Sequence, residues 1–117
     1  MTETTKIRVA VTGAVGKMGR EVVRTVAAQP DMELVAAVDQ VQLGKDIGVL
    51  VGTDPLGVTV RSDLEQALKE SKAQVMVDFS NPLAVMGNIQ TAARCKVAGV
   101  VGTTGLTADN LQEIRTL

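Results

Sequence analysis

The chain has 117 residues, 12 basic and 13 acidic, for a net charge of −1, and 45% of it is hydrophobic. That supports one domain with a buried core, and the lack of a basic run or aromatic–basic interleaving argues against nucleic acid as a partner. A lone cysteine, Cys95, excludes an internal disulfide; with no histidine anywhere, zinc ligation and the commonest general base are removed as well.

The polar start from Met1 to Lys6 has no apolar segment of a signal peptide behind it, and the apolar runs are too short to span a membrane. A cytoplasmic protein without membrane or metal partners is expected. Ile7 to Thr12 is a β-branched, mostly apolar run ending at Gly13, which predicts a buried strand. From Gly16 the period becomes helical, with Met18, Val22, Val23, Val26 and Ala27 on the inner face and Pro30-Asp31 as the stop. Glu33 to Val38 predicts a second strand ending at Asp39.

Gln40 to Gly57 carries four glycines and Pro55, and predicts a long loop with a helical turn from Asp46 to Leu50. Val58-Thr59-Val60 predicts a short edge strand. Ser62-Asp63-Leu64-Glu65 has the form of a capping box, with Ser62 as cap, opening a helix to about Ser71. Gln74 to Phe79 predicts the next strand. Asn81 then caps a helix with Pro82 in its first turn and Met86, Ile89 and Ala93 inward. Val97 to Val101 predicts a strand ending at Gly102, and a last helix is expected after Thr107, with Leu106 and Leu111 as a hydrophobic staple. This alternation predicts an α/β fold: a Rossmann-like, doubly wound parallel sheet with right-handed crossovers and helices on both faces.

The chemistry concentrates in loops at the carboxyl ends of those strands. Gly13-Ala14-Val15-Gly16-Lys17-Met18-Gly19 is a G-x-x-G-x-x-G variant of the dinucleotide-binding turn. Its first glycine permits a tight turn, its second lets backbone approach a pyrophosphate, and its third lets the helix pack on the sheet. The helix N-terminus then faces the anion with free amides. Such a loop also serves structural ends, but here it follows a strand and opens an amphipathic helix. Asp39 ends the next strand twenty residues beyond Gly19, where a carboxylate can accept from ribose hydroxyls.

Alone, Asp39 reads equally well as a turn residue. Gln40 after it is neutral, where Arg would better suit a 2′-phosphate. Lys17 is either a phosphate-facing charge or a solvated lysine. Asp78-Phe79-Ser80-Asn81-Pro82 is expected to face the Gly13 loop across the switch point, with Phe79 either core or a flank for nicotinamide. Gly102-Thr103-Thr104-Gly105 is either a turn or part of the same rim. Cys95 reads as a small hydrophobe.

Taken together, Gly13 through Arg20, Asp39, Asp78 through Pro82 and Gly102 through Gly105 resemble the amino-terminal domain of the dihydrodipicolinate reductase (4-hydroxy-tetrahydrodipicolinate reductase) family. Leu43 through Gly48 is similar to the family's loop after the second strand. The resemblance covers nearly the whole chain, and G-T-T-G after D-F-S-x-P is its most specific part. It implies that residues 1–117 are a dinucleotide-binding domain for NADH or NADPH. Gly13, Ala14, Val15, Gly16, Lys17 and Met18 would hold the pyrophosphate, and Asp39 the ribose. Gly102, Thr103 and Thr104 would lie at the nicotinamide end, with Thr104 near the substrate. Family members often carry Arg after the ribose acid, and Gln40 departs from that pattern.

The resemblance also implies a reductase of lysine and diaminopimelate biosynthesis that acts on a small dicarboxylate and assembles as a homotetramer. The family's second domain carries the tetramer contacts and a His-rich substrate loop, and it has no counterpart in this sequence. The expectation is therefore an amino-terminal portion, with a nucleotide fold incomplete at its C-terminus and no catalytic residue of its own. Two other readings share the nucleotide loops: a homoserine- or aspartate-semialdehyde-type dehydrogenase domain, and a non-catalytic NAD(P)-sensing module.

Overall fold

A computed structural model describes residues 6–102; Thr103, Thr104 and the helix expected after Thr107 lie outside them. Five strands, β1 (Ile7–Thr12), β2 (Met32–Val38), β3 (Val60–Arg61), β4 (Val75–Asp78) and β5 (Ala98–Val101), form one sheet in the order β3-β2-β1-β4-β5. Every pairing is parallel. Four helices connect them: α1 (Lys17–Ala28), the short α2 (Ile47–Leu50), α3 (Leu64–Ser71) and α4 (Pro82–Arg94). The fold is the expected α/β, Rossmann-like one.

The sheet divides the core in two. On one face Val9, Val11, Leu34 and Ala37 pack against Val23 and Val26 of α1 and Ile47 of α2. On the other, Ala10, Ala36, Val38 and Met76 meet Leu64, Ala67 and Leu68 of α3 and Ala92 of α4. Alanines on both sides of that second layer let helix and sheet approach closely. β2 sends Leu34 and Ala37, three residues apart, to the same core. A register irregularity opposite Val9 and Ala10 skips Val35 and resets the alternation, as a bulge does.

Several expected details move. Met18 and Ala27 are exposed, because they lie in the end turns of α1, and Gly19 takes the inner position instead. The third strand is Val60–Arg61 rather than Val58–Val60. Thr59 is drawn into an antiparallel bridge with Asp46, and the Ile47 amide donates to the Val58 carbonyl at 2.8 Å.

Asp63, not Ser62, caps α3 by accepting from the Gln66 amide at 3.0 Å, which shifts the cap by one residue and leaves no Ser62–Glu65 box. Glu65 instead pairs with Lys69 and Arg94, which hold its carboxyl below the ordinary range. α4 buries Val85 and Ala92; Met86 and Ile89 are half-buried and Ala93 is exposed. Asn81 does cap that helix, accepting from the Leu83 and Ala84 amides, with Pro82 in its first turn. Among the described residues no helix is long and apolar enough to cross a membrane.

Candidate functional site

Register places the site. Thr12 pairs with Val38 on one side and Asp78 on the other, and Asp78 pairs with Val101. The residues that follow these four, Gly13, Asp39, Phe79 and Gly102, therefore leave the sheet along one rim. The order β3-β2-β1-β4-β5 makes the β1–β4 seam the point where the chain reverses its direction of travel across the sheet. Ligand crevices of open parallel sheets form there, outside the carboxyl ends of the strands.

The Gly13 loop is held from below and behind. The Gly13 and Ala14 amides donate to the Val38 carbonyl at 2.9 and 3.2 Å. Gly13 has φ +76°, and a side chain there would also stand 2.5 Å from the Phe79 carbonyl oxygen. Both facts require glycine. At Gly19 an added Cβ would run into Gly13 and Ala14 backbone, so the third glycine admits the helix to the sheet. Gly16 differs: it is the N-cap of α1, and an added Cβ would meet only the Gly13 carbonyl at an ordinary 3.5 Å. Its lack of a side chain leaves the amides of the first turn without a cap, and that turn contains no acidic residue. An anion from outside meets free donors and the positive end of the helix.

Asp39 stands beside this loop. Its Oδ2 accepts from the Val15 amide at 2.9 Å and its Oδ1 from the Gln40 amide at 2.7 Å. The carboxylate thus ties the end of β2 to the loop while keeping lone pairs for further donors. Gln40 turns away and donates from Nε2 to the Ser62 carbonyl at 3.2 Å. A groove of about 290 Å³ runs from Gly13 and Gly16 past Asp39 to Ser62, Leu64, Ala84 and Asn88. A second depression takes in Lys17, Met18, Phe79, Pro82 and Gly102, with Lys17 exposed at its edge.

Phe79 borders both hollows, and its ring occupies the space that any Cβ on Gly102 would need. The Gly102 amide donates to the Asp78 carbonyl at 2.8 Å, which seats the start of the next loop on the rim. The expected site residues Gly13, Ala14, Val15, Gly16, Lys17, Met18, Asp39, Phe79 and Gly102 are thus gathered at one end of the sheet. Thr103 and Thr104 lie outside the described residues. Cys95 is the half-buried C-cap residue of α4 and packs against the second core cluster.

Three supporting groups lie in segments singled out by the sequence, but their partners could not be read from it. Arg20 donates from Nε to the Val15 carbonyl at 2.6 Å and from Nη1 to the Leu50 carbonyl at 3.2 Å, clamping the loop to α2. Asp46 organises α2: one oxygen accepts from Gly48, Val49 and Leu56 amides and the other from Gly57. These amides, Leu56 foremost, hold its carboxyl below the ordinary value. Asp78 is fully buried under the rim and accepts from the Ser80 amide and hydroxyl at 2.7 and 2.6 Å and from Asn88 Nδ2 at 3.0 Å. The segment from Asp78 to Pro82 was expected at this rim, but Asn88, ten residues on, could not be paired with Asp78 from spacing.

Comparison with known proteins agrees with the geometry. Residues 7–117 match the family described as dihydrodipicolinate reductase, N-terminus. The chain is 53% identical to the 4-hydroxy-tetrahydrodipicolinate reductase of Desulfitobacterium hafniense over 113 residues, covering 96% of this chain and 42% of that protein. It is 45% identical to that of Thermosynechococcus vestitus, covering 94% and 41%. Among solved structures, dipicolinate-bound dihydrodipicolinate reductase from Paenisporosarcina sp. TG-14 superposes with a TM-score of 0.76 at 36% identity, covering 94% of this chain and 42% of that one. GenD2 from gentamicin A biosynthesis, in complex with NAD, has a TM-score of 0.76 at 18% identity and shows the fold alone. The chain spans about 42% of the length of the reductases it matches.

Proposed function

The chain belongs to the dihydrodipicolinate reductase family by its N-terminal domain, and from that premise we propose that residues 1–117 bind NADH or NADPH for the reduction carried out by a longer protein. The observation that carries this reading is the uncapped, acid-free first turn of α1 beside the Asp39 carboxylate. The pyrophosphate takes the first-turn amides, and the ribose hydroxyls take the remaining lone pairs of Asp39. Phe79, seated against Gly102, walls the nicotinamide end; in this reading Gly102, Thr103 and Thr104 serve to bind that end of the cofactor, and Thr104 serves the substrate as well.

When bound, the cofactor supplies the hydride, and this chain's residues hold and orient it. The substrate is a cyclic dicarboxylate that becomes tetrahydrodipicolinate after reduction and loss of water. Its two carboxylates need cationic or amide clamps, and the reaction needs a proton donor. The described rim presents Lys17 as an exposed cation but no histidine and no paired guanidinium. The chain alone is therefore a binding domain without turnover. Clamps, proton donor and homotetramer contacts come from elsewhere in the full-length protein.

Fluorescence titration of the chain with NADH and NADPH, and NADH oxidation with substrate generated in situ, test both halves. Saturable binding without turnover is expected, with the Desulfitobacterium hafniense reductase as the active control. Absence of binding by the folded chain overturns the nucleotide reading. Turnover by the chain alone overturns the division of labour.

A further inference from the structure

We propose that Met18 is a redox-sensitive modification site: hydroperoxides convert its thioether to the sulfoxide, which weakens dinucleotide binding, and methionine sulfoxide reductases restore it. The inference rests on the nucleotide reading above and adds a reversible control of that site.

The chain carries five methionines and one cysteine, and oxidation of sulfur follows its exposure. Among the described residues only Met18 joins exposure to a place on the rim. It is 53% exposed and lines the depression with Gly16, Lys17, Phe79, Pro82 and Gly102. Met76 is fully buried, and Met32 is half-buried at the opposite end of β2 from Asp39. Met86 is half-buried on α4. Cys95 is half-buried at the far end of that helix, whose length of about 20 Å separates it from the rim.

Helix geometry aims the Met18 side chain at the anion. It is the second residue of α1, and helical side chains lean back over the residues before them. The first turn there has no side-chain cap and no acidic residue. A thioether is apolar and a weak acceptor, so it leaves the free amides to the pyrophosphate.

Oxidation changes that. A lone pair on Sδ attacks one peroxide oxygen, the O–O bond breaks and an S–O bond forms. The departing hydroxide takes the proton from the transferred oxygen and leaves as water. Sulfur loses two electrons and the peroxide gains them; the reductase reverses the step with two thiols, giving thioether, disulfide and water. The new oxygen carries partial negative charge and accepts hydrogen bonds well. It competes with the pyrophosphate for the amides, repels its charge, and hydrates the apolar wall formed with Phe79 and Pro82. In a hollow open to water, a loss equal to one hydrogen bond lowers affinity about three- to tenfold.

The test is NADH titration of the chain before and after hydrogen peroxide, with the peroxide removed and each sulfur assigned by peptide mass mapping. Met18 is expected to oxidise ahead of Met32, Met76, Met86 and Cys95, and affinity to fall about three- to tenfold as it converts. Methionine sulfoxide reductases A and B, which take the two sulfoxide epimers, should restore it. In Met18→Leu, whatever its own affinity, peroxide should leave that affinity where it was. Saturating NADH should slow oxidation of Met18, because the bound cofactor covers it. Circular dichroism establishes the fold before and after treatment. Unchanged affinity after complete conversion of Met18 overturns the inference, as does an equal loss in folded Met18→Leu. Conversion of Met18 no sooner than the half-buried sulfurs, or at one rate with and without NADH, also overturns it. If Met18→Leu does not fold, the reductases decide: Met18 reduced without recovery of affinity overturns the inference. Failure of the untreated chain to bind NADH instead rejects the nucleotide reading itself.

Discussion

Gly16→Ala and Gly19→Ala lie three residues apart in one loop and are expected to fail in opposite ways. At Gly19 the added methyl would stand 2.7 Å from the Gly13 carbonyl carbon and 2.8 Å from Ala14 Cα, well inside the 3.4 Å at which ordinary contact begins. All of these atoms are backbone, and Gly13 and Ala14 are pinned to the Val38 carbonyl by their amides. The first turn of α1 must therefore withdraw from the sheet, at an overpacking cost of about 3 kcal/mol. Helix propensity returns about 1 kcal/mol of this. The net loss of about 2 kcal/mol lowers Tm by roughly 8 °C for a domain of this size.

At Gly16 the methyl meets only an ordinary 3.5 Å contact, and φ of −69° suits any residue. The fold should lose no more than about 1 kcal/mol, from a poorer cap. The methyl nevertheless stands where the pyrophosphate must approach the amides, so NADH affinity should fall at least about tenfold, or 1.4 kcal/mol. Thermal melts and calorimetric titration on both variants separate the effects. Native NADH affinity in folded Gly16→Ala would refute the cradle. A native Tm in Gly19→Ala would refute the packing argument.

Three further outcomes are expected. The chain should bind NADH at least as tightly as NADPH, because Asp39 repels a 2′-phosphate and Gln40 offers no charge to offset it; a tenfold NADPH preference in paired titrations would refute this. Arg20→Met should weaken NADH binding about three- to tenfold by releasing the Val15 carbonyl towards the anion, with partial recovery in Arg20→Lys; affinity equal to the unaltered chain would refute the clamp. The Asp46 carboxyl is held below its ordinary value, so its contribution to stability is present above that value and lost as pH falls below about 4. Melting curves of the unaltered chain and Asp46→Asn should therefore converge at the acid end, and a constant gap from pH 6 to 3 would refute the linkage.

What was legible in the sequence was what short-range patterns decide. Ile7 to Thr12 is apolar and β-branched and ends on a glycine, and the strand occupies those residues. Asn81-Pro82 caps and opens α4 because the cap is an interaction with the next three residues. The errors fall where a distant partner takes over. Val58 and Thr59 were apolar and β-branched enough for the edge strand, but Asp46 and Ile47, a dozen residues earlier, claim them first. Ser62 and Asp63 are both good caps, and spacing to Glu65 favoured Ser62. Glu65 goes instead to Lys69 and Arg94, the latter on another helix, so the reciprocal bond that would have chosen Ser62 is never made.

The same division runs through the site. Gly13, Gly16, Gly19 and Asp39 could be named in advance because each meets a demand set by its own βαβ unit. The groups that hold them are bonded across the sheet order rather than along the chain. Arg20 reaches Leu50, and Asp39 reaches back to Val15. Asn88 reaches Asp78 only because α4 folds back over the end of β4. This last contact changes what the motif means. D-F-S in sequence suggests an acid available at the rim, yet the structure buries Asp78 completely and occupies it with Ser80 and Asn88. An acid so committed orients its neighbours instead of meeting a ligand, and one of those neighbours, Asn88, lay in no motif.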